Sequence, residues 1–208
     1  MRRIFGAVAA LVQKAFRRPL SLESKLEILA RGGLKLEAPF TVEHLLKSWK
    51  RSEFEKRGFD LVLVGLGMSE EQPPWRNHCV NAWHFDAECI EDTGDYQRIA
   101  ERMKAMTQGS LPVENIRDHV DVEGGSAWLT FDYRGQSVRI DCEVQNDWVD
   151  PRLFEHFIDL LANSDPAKIY VFYDLHGQDC IIACVTAAQL AELNRAGVAF
   201  EPLQRQHI

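Results

Sequence analysis

Residues 127–185 hold two hairpins separated by a single helix, and this order of segments decides which folds are open to the chain. Ala127 to Tyr133 and Ser137 to Val144 are β-rich runs joined across Arg134-Gly135, the length and composition of a tight turn. Lys168 to Asp174 and Asp179 to Val185 form a second pair, turning through Leu175-His176-Gly177-Gln178. Between them Asp150-Pro151 opens a helix, with aspartate as cap and proline where a missing N–H costs nothing. Leu153, Phe154, Phe157, Ile158, Leu160 and Leu161 give that helix an apolar face. A doubly wound parallel sheet needs strand and helix in strict alternation, which this order lacks. The expected fold is α+β, an antiparallel or mixed sheet with helices packed on it.

The rest of the chain supplies the helices. Ile4, Phe5, Val8, Leu11, Val12, Ala15 and Phe16 fall on one side of a helical projection and Arg2, Arg3, Gln13, Lys14 and Arg17 on the other. Pro19 stops this basic amphipathic helix, so the chain divides into residues 1–20 and a single α+β domain over 21–208. The helix either docks on the domain or lies on a lipid surface, with Arg2, Arg3, Phe5, Phe16 and Arg17 as the membrane-facing candidates. Ser21 caps a second helix that ends at Gly32-Gly33, and a third runs from Thr41 to Trp49. Phe59 to Leu66 is a β-rich apolar run and is expected to be a buried strand. Glu70 to Asn77, with Pro73 and Pro74, is expected to be a loop with a stiff, extended centre. A strand over Val80 to Phe85 follows, then a helix from Asp92 or Thr93 carrying Tyr96, Ile99, Met103 and Met106. Thr186 and Gln189 form a capping box for a last helix, closed by Gly197.

Charge is unevenly placed. Residues 1–60 hold 13 Lys/Arg against 7 Asp/Glu, and residues 61–208 hold 11 against 24, so a net −7 conceals a basic start and a strongly acidic body. An acidic body argues against nucleic acid, whose affinity comes from cations on phosphates, and favours a basic protein partner. Five cysteines are an odd number and too few for a disulfide scaffold, so reduced thiols and a cytoplasmic location are expected. No apolar run reaches the roughly 18 residues of a membrane span, and residues 2–18 leave attachment to the inner face of the membrane as a second expectation.

Signatures of chemistry are incomplete. Gly65-Leu66-Gly67 lacks the third glycine of a dinucleotide fingerprint, and Pro73 follows where a helix should open. His78, Cys79, His84 and Cys89 are capable zinc ligands, but one strand would separate His78 from His84 by about 20 Å. Asp132, Asp141 and Glu143 resemble the acidic strand layout of two-stranded metal-dependent nuclease cores, with Gln145 where those families place a lysine. That resemblance implies a hydrolase as the alternative to a binding protein. Cys180 and Cys184 share one strand face among apolar neighbours and read as core. His176 beside Asp174 reads as an acid–base pair or as plain surface. No cofactor or metal site is expected.

The most distinctive segment is Trp75-Arg76 in the proline loop, followed by Asp86, Glu88, Glu91, Asp92 and Asp95. Tryptophan and arginine are frequent interface anchors, and carboxylates beside them suit a basic partner. The alternative is a Trp75 folded into the core and carboxylates solvating a helix start. Together with Ala82-Trp83-His84-Phe85-Asp86, Asp92-Thr93-Gly94-Asp95 and Asn146-Asp147-Trp148-Val149-Asp150-Pro151, this segment makes residues 60–205 resemble small bacterial toxin-immunity proteins. The resemblance implies an acidic cytosolic module that blocks a toxin domain, often a nuclease, without catalysis of its own. It carries over no individual contact residue.

Overall fold

An uninterrupted apolar run, Cys180 to Val185, leaves no polar face to turn to water, and it becomes the centre of a sheet covered on both sides. The computed structural model describes residues 19–56, 58–70, 72–204 and 207–208. The expected N-terminal helix, with Arg2, Arg3, Phe5, Phe16 and Arg17, lies outside the described residues. The strands are β1 (Ala82–Asp86), β2 (Val113–Asp121), β3 (Ser126–Tyr133), β4 (Gln136–Cys142), β5 (Lys168–Asp174), β6 (Asp179–Thr186) and β7 (Glu201–Pro202). The helices are α1 (Leu22–Arg31), α2 (Val42–Ser48), α3 (Arg51–Lys56), α4 (Asp60–Gly67), α5 (Asp95–Met106), α6 (Arg152–Ser164) and α7 (Ala187–Arg195). Two antiparallel sheets form, one ordered β1-β6-β5-β7 and one ordered β2-β3-β4, and the fold is α+β with helices packed on both.

Strand alternation divides the core in two. On one face of the larger sheet Val171, Ile181, Ala183 and Val185 meet Leu22 and Leu29 of α1, Leu45 of α2, Phe54 of α3 and Leu63 and Leu66 of α4. On the other, Tyr170, Cys180, Ile182 and Cys184 meet Ile99 and Met103 of α5, Phe154 and Phe157 of α6, and Leu129, Phe131 and Ile140 of the smaller sheet. The core role expected for Cys180 and Cys184 follows from this alternation.

Local signals explain the boundaries. Arg134 and Gly135 both have positive φ, 51° and 78°, the twist a two-residue hairpin turn requires between β3 and β4. Ser21 Oγ accepts the Ser24 N–H to start α1, and Gly33, at φ 85°, ends it. In the capping box of α7 the Gln189 N–H donates to Thr186 Oγ1 and the Thr186 N–H to Gln189 Oε1. Asp118 on β2 accepts the Gly94 and Gln97 N–H groups, placing a negative charge at the start of α5.

The segment expected as a strand over Phe59 to Leu66 is the helix α4. A run that is apolar on every side fits a buried helix as well as a buried strand, and periodicity does not separate them. Here Val62, Leu63 and Leu66 pack among α1, α2 and α3 and onto the sheet, and the run becomes a helix under the larger sheet. Two elements carried no usable pattern. β2 is interrupted by a bulge between Glu114 and Arg117, with Asn115 at φ 52°, which breaks its alternation. α3 is six residues long and mostly charged.

Candidate protein-binding cleft

β1 has one strand neighbour, β6, and a cleft of about 1060 Å³ runs along its other side. Trp83, His84, Phe85 and Asp86 all line it. Consecutive strand residues point alternately to opposite faces, so four in a row border one space only where it follows the strand edge. Ser69, Glu70, Trp75 and Asn77 form one wall, and Glu88, Cys89 and Glu91 with α5 form the other.

The loop wall is a small hairpin. Ser69 bridges Asn77, the Glu70 N–H donates to Arg76 O at 2.9 Å, and the His78 N–H donates to Met68 O at 2.9 Å. The turn at its tip closes with the Trp75 N–H donating to Gln72 O at 3.0 Å, and Trp75 lies at φ 55°. The extended centre expected from Pro73-Pro74 is therefore replaced by a turn. Trp75 is 60% exposed at the mouth of the cleft and not folded into the core. Arg76 turns away: its Nε donates to Glu70 Oε2 at 3.0 Å, and its guanidinium lies 5.7 Å from the centre of the Phe40 ring. That guanidinium holds the Glu70 carboxyl below its ordinary range.

The opposite wall is acidic for local reasons. Asp95 Oδ2 accepts the N–H groups of Glu91 and Asp92, at 2.8 and 2.9 Å, which folds the approach to α5. Its other oxygen lies 3.1 Å from the Arg98 guanidinium. Asp86 accepts the Glu88 N–H at 2.9 Å, and Gln178 Nε2 joins Asp86 to Glu88 at 3.1 and 3.0 Å. Among the described residues six carboxylates line the cleft, from Glu70, Asp86, Glu88, Glu91, Asp95 and Glu101, against the guanidinium groups of Arg98 and Arg102, so its potential is negative.

Of the residues singled out in the sequence, Trp75, Asp86, Glu88, Glu91 and Asp95 come together around this space, whereas Arg76 and Asp92 fall outside it. Trp83, His84, Arg98, Glu101 and Arg102 also line it and were not anticipated. Arg102 left one signal, a cation three residues from Ile99 on the apolar face of α5. It is 8% exposed and donates to the carbonyls of Cys79, Val80 and Ala82. Its Nε and the Nε2 of His84 have no hydrogen-bond partner among the described residues.

The other chemical candidates are dispersed. Asp141 pairs with Trp128 and Asp132 with Ser137, which separates the two acids by four residues along β3. Asp132 accepts from Asn115, Asp141 is paired with Arg139, and Glu143 lies 3.8 Å from Arg152. Among the described residues no three His, Cys, Asp or Glu side chains converge as a metal-binding group. His78 is bonded to Gly65 O and Cys79 donates to Asn81, each engaged away from the other candidate ligands. Burial pushes the thiols of Cys89, Cys142, Cys180 and Cys184 up to about 12, so they are protonated at neutral pH. His176 is exposed with its ring 3.0 Å from Asp174. Among the described residues no helix is long and apolar enough to cross a membrane. Comparison with known protein families, with curated proteins and with solved structures returns no match to this chain.

Proposed function

We propose that this protein is a non-catalytic binding module whose acidic cleft receives a basic protein partner, as an immunity protein receives a toxin domain. The observation that supports this most is the gathering of Trp75 and six carboxylates, drawn from three separate segments, around one open space along β1. An exposed tryptophan supplies apolar contact at low entropic cost, and the surrounding negative potential speeds encounter with a cationic surface. Nuclease toxins have basic substrate clefts, and carboxylates on a protein surface can occupy the places of phosphates in them.

The test is a charge reversal at positions whose side chains hold no backbone group in place. Glu91→Lys with Glu101→Lys is expected to slow association with the toxin domain encoded by the adjoining reading frame by about 10-fold or more at low salt, and to abolish growth rescue on co-expression. Unchanged association at low ionic strength, or an adjoining product with no toxicity, defeats the proposal.

A further inference from the structure

The edge of β1 is capped along only part of its length. Cys184 N–H donates to Asn81 O at 3.0 Å and Ala87 N–H donates to Gln178 O at 3.2 Å. With the pairing that runs from Ala82↔Ala183 to Asp86↔Asp179, odd-numbered residues of this stretch turn their N–H and C=O groups towards β6. Even-numbered residues turn theirs outwards, into the cleft. Arg102 occupies the first part of that outward row, with Nη1 donating to Val80 O at 2.9 Å and Nη2 donating to Ala82 O. Beyond it, no hydrogen bond among the described residues takes the outward backbone groups of His84 and Asp86, and Gly67 of α4 packs beside the His84 nitrogen.

We propose that this free edge is a strand-addition site: an extended segment of the partner, rich in Lys and Arg, pairs with His84 and Asp86 and continues the larger sheet by one strand. The proposal rests on the reading of the cleft as a surface for a basic partner and specifies how that partner is held. Arg102, almost wholly buried beside the cleft, marks where the capped part of the row ends; its Nε lacks an acceptor among the described residues but is itself enclosed by protein. Glu91 and Glu101 stand on the wall opposite the loop, so cationic side chains on that face of the added strand meet negative charge, whereas Glu70 on the loop is already paired with Arg76. The other edge strands are β2, β4 and β7, of which β4 borders no part of the cleft. β2 is broken by its bulge, and β7 is two residues long and includes Pro202.

The test uses the wild-type chain and a peptide of about eight residues alternating Arg and Val, the length of a typical strand. Its counterpart carries the same side chains with every backbone nitrogen methylated. At low salt the first peptide is expected to slow amide hydrogen exchange at His84 and Asp86 and to bind at least about 10-fold more tightly than the methylated one, the equivalent of roughly one backbone hydrogen bond. Equal binding of the two, with exchange at His84 and Asp86 unchanged, overturns strand addition and leaves the acidic-cleft reading standing. Failure of both peptides to bind removes that reading as well. Protection of the same amides by raising the protein concentration without peptide assigns the edge to a second copy of the chain and overturns the proposal.

Discussion

Asp150 shows how a single side chain closes one part of the molecule. It is buried beneath the start of α6, where its carboxylate accepts the N–H groups of Glu143 and Arg152 and the guanidinium of Arg152, while its own N–H donates to Tyr96 Oη. Burial alone would push this carboxyl up, but the hydrogen bonds from Arg152 and from the Glu143 and Arg152 backbone outweigh it and hold it below the ordinary carboxylate range. A lowered carboxyl contributes stability that is present above its unfolded value, near 4, and is lost as the pH falls through its folded one. Asp150→Asn is therefore expected to cost about 2 kcal/mol in urea unfolding at pH 7. The gap from wild type should narrow steadily below about pH 4. A gap that stays constant from pH 7 to pH 3 would remove this account. The cap position falls one residue later, at Pro151, and Asp150 Oδ1 accepts the Arg152 N–H. In the sequence Asp150 was legible as marking a helix start, because aspartate before proline does so whatever surrounds it. Its bonds to Glu143 and Tyr96 were not, because they depend on where the chain returns.

Elements were legible where one face was polar, or where turn chemistry fixed the pairing. The β3–β4 and β5–β6 hairpins, α1, α6 and α7 follow from caps, turns and alternation that lie within a few residues of one another. α4 was not, since its identity depends on what surrounds it and not on its own period. Its C-terminal Gly67 shows how tightly it is seated: a Cβ there would lie 2.3 Å from the backbone nitrogen of His84. Gly67→Ala must push α4 away from β1, and a thermal or urea denaturation is expected to show a loss of about 1–3 kcal/mol. An alanine variant as stable as wild type would mean that helix and strand do not touch there. The same displacement reaches the floor of the cleft, because His84 borders both.

At the scale of the whole molecule the larger sheet ties two cores together. Ile181 and Ile182 are adjacent in β6, yet one belongs to the core with α1–α4 and the other to the core with α5, α6 and the smaller sheet. Each replaced by alanine is expected to cost about 2–5 kcal/mol, the range for deleting a buried Ile side chain. Because the strand is shared, both should shift one common transition, seen alike by far-UV circular dichroism and by tryptophan fluorescence. Two separated transitions in either variant would show that the cores unfold independently. The candidate site was legible here as a statement about charge and as Trp75, singled out as an anchor in its loop. The run from Asp86 to Asp95 is acidic in any conformation, but its meeting with Trp75, Glu70 and Glu101 requires β1 to stand at a sheet edge, which no local pattern encodes. Arg76 and Asp92 fell outside for the matching reason. Proximity in sequence does not fix which way a side chain leaves a turn.

α5 contributes to the cleft and to the core through different sides of one helix. Ile99 and Met103 anchor it, whereas Arg98, Glu101 and Ala105 border solvent. On the proposed binding role, stability and recognition draw on largely separate positions of this helix, with Arg102 serving both. If the cleft serves as proposed, such a division lets a lineage rewrite whom it recognises, one exposed residue at a time, without reopening the question of whether the chain folds.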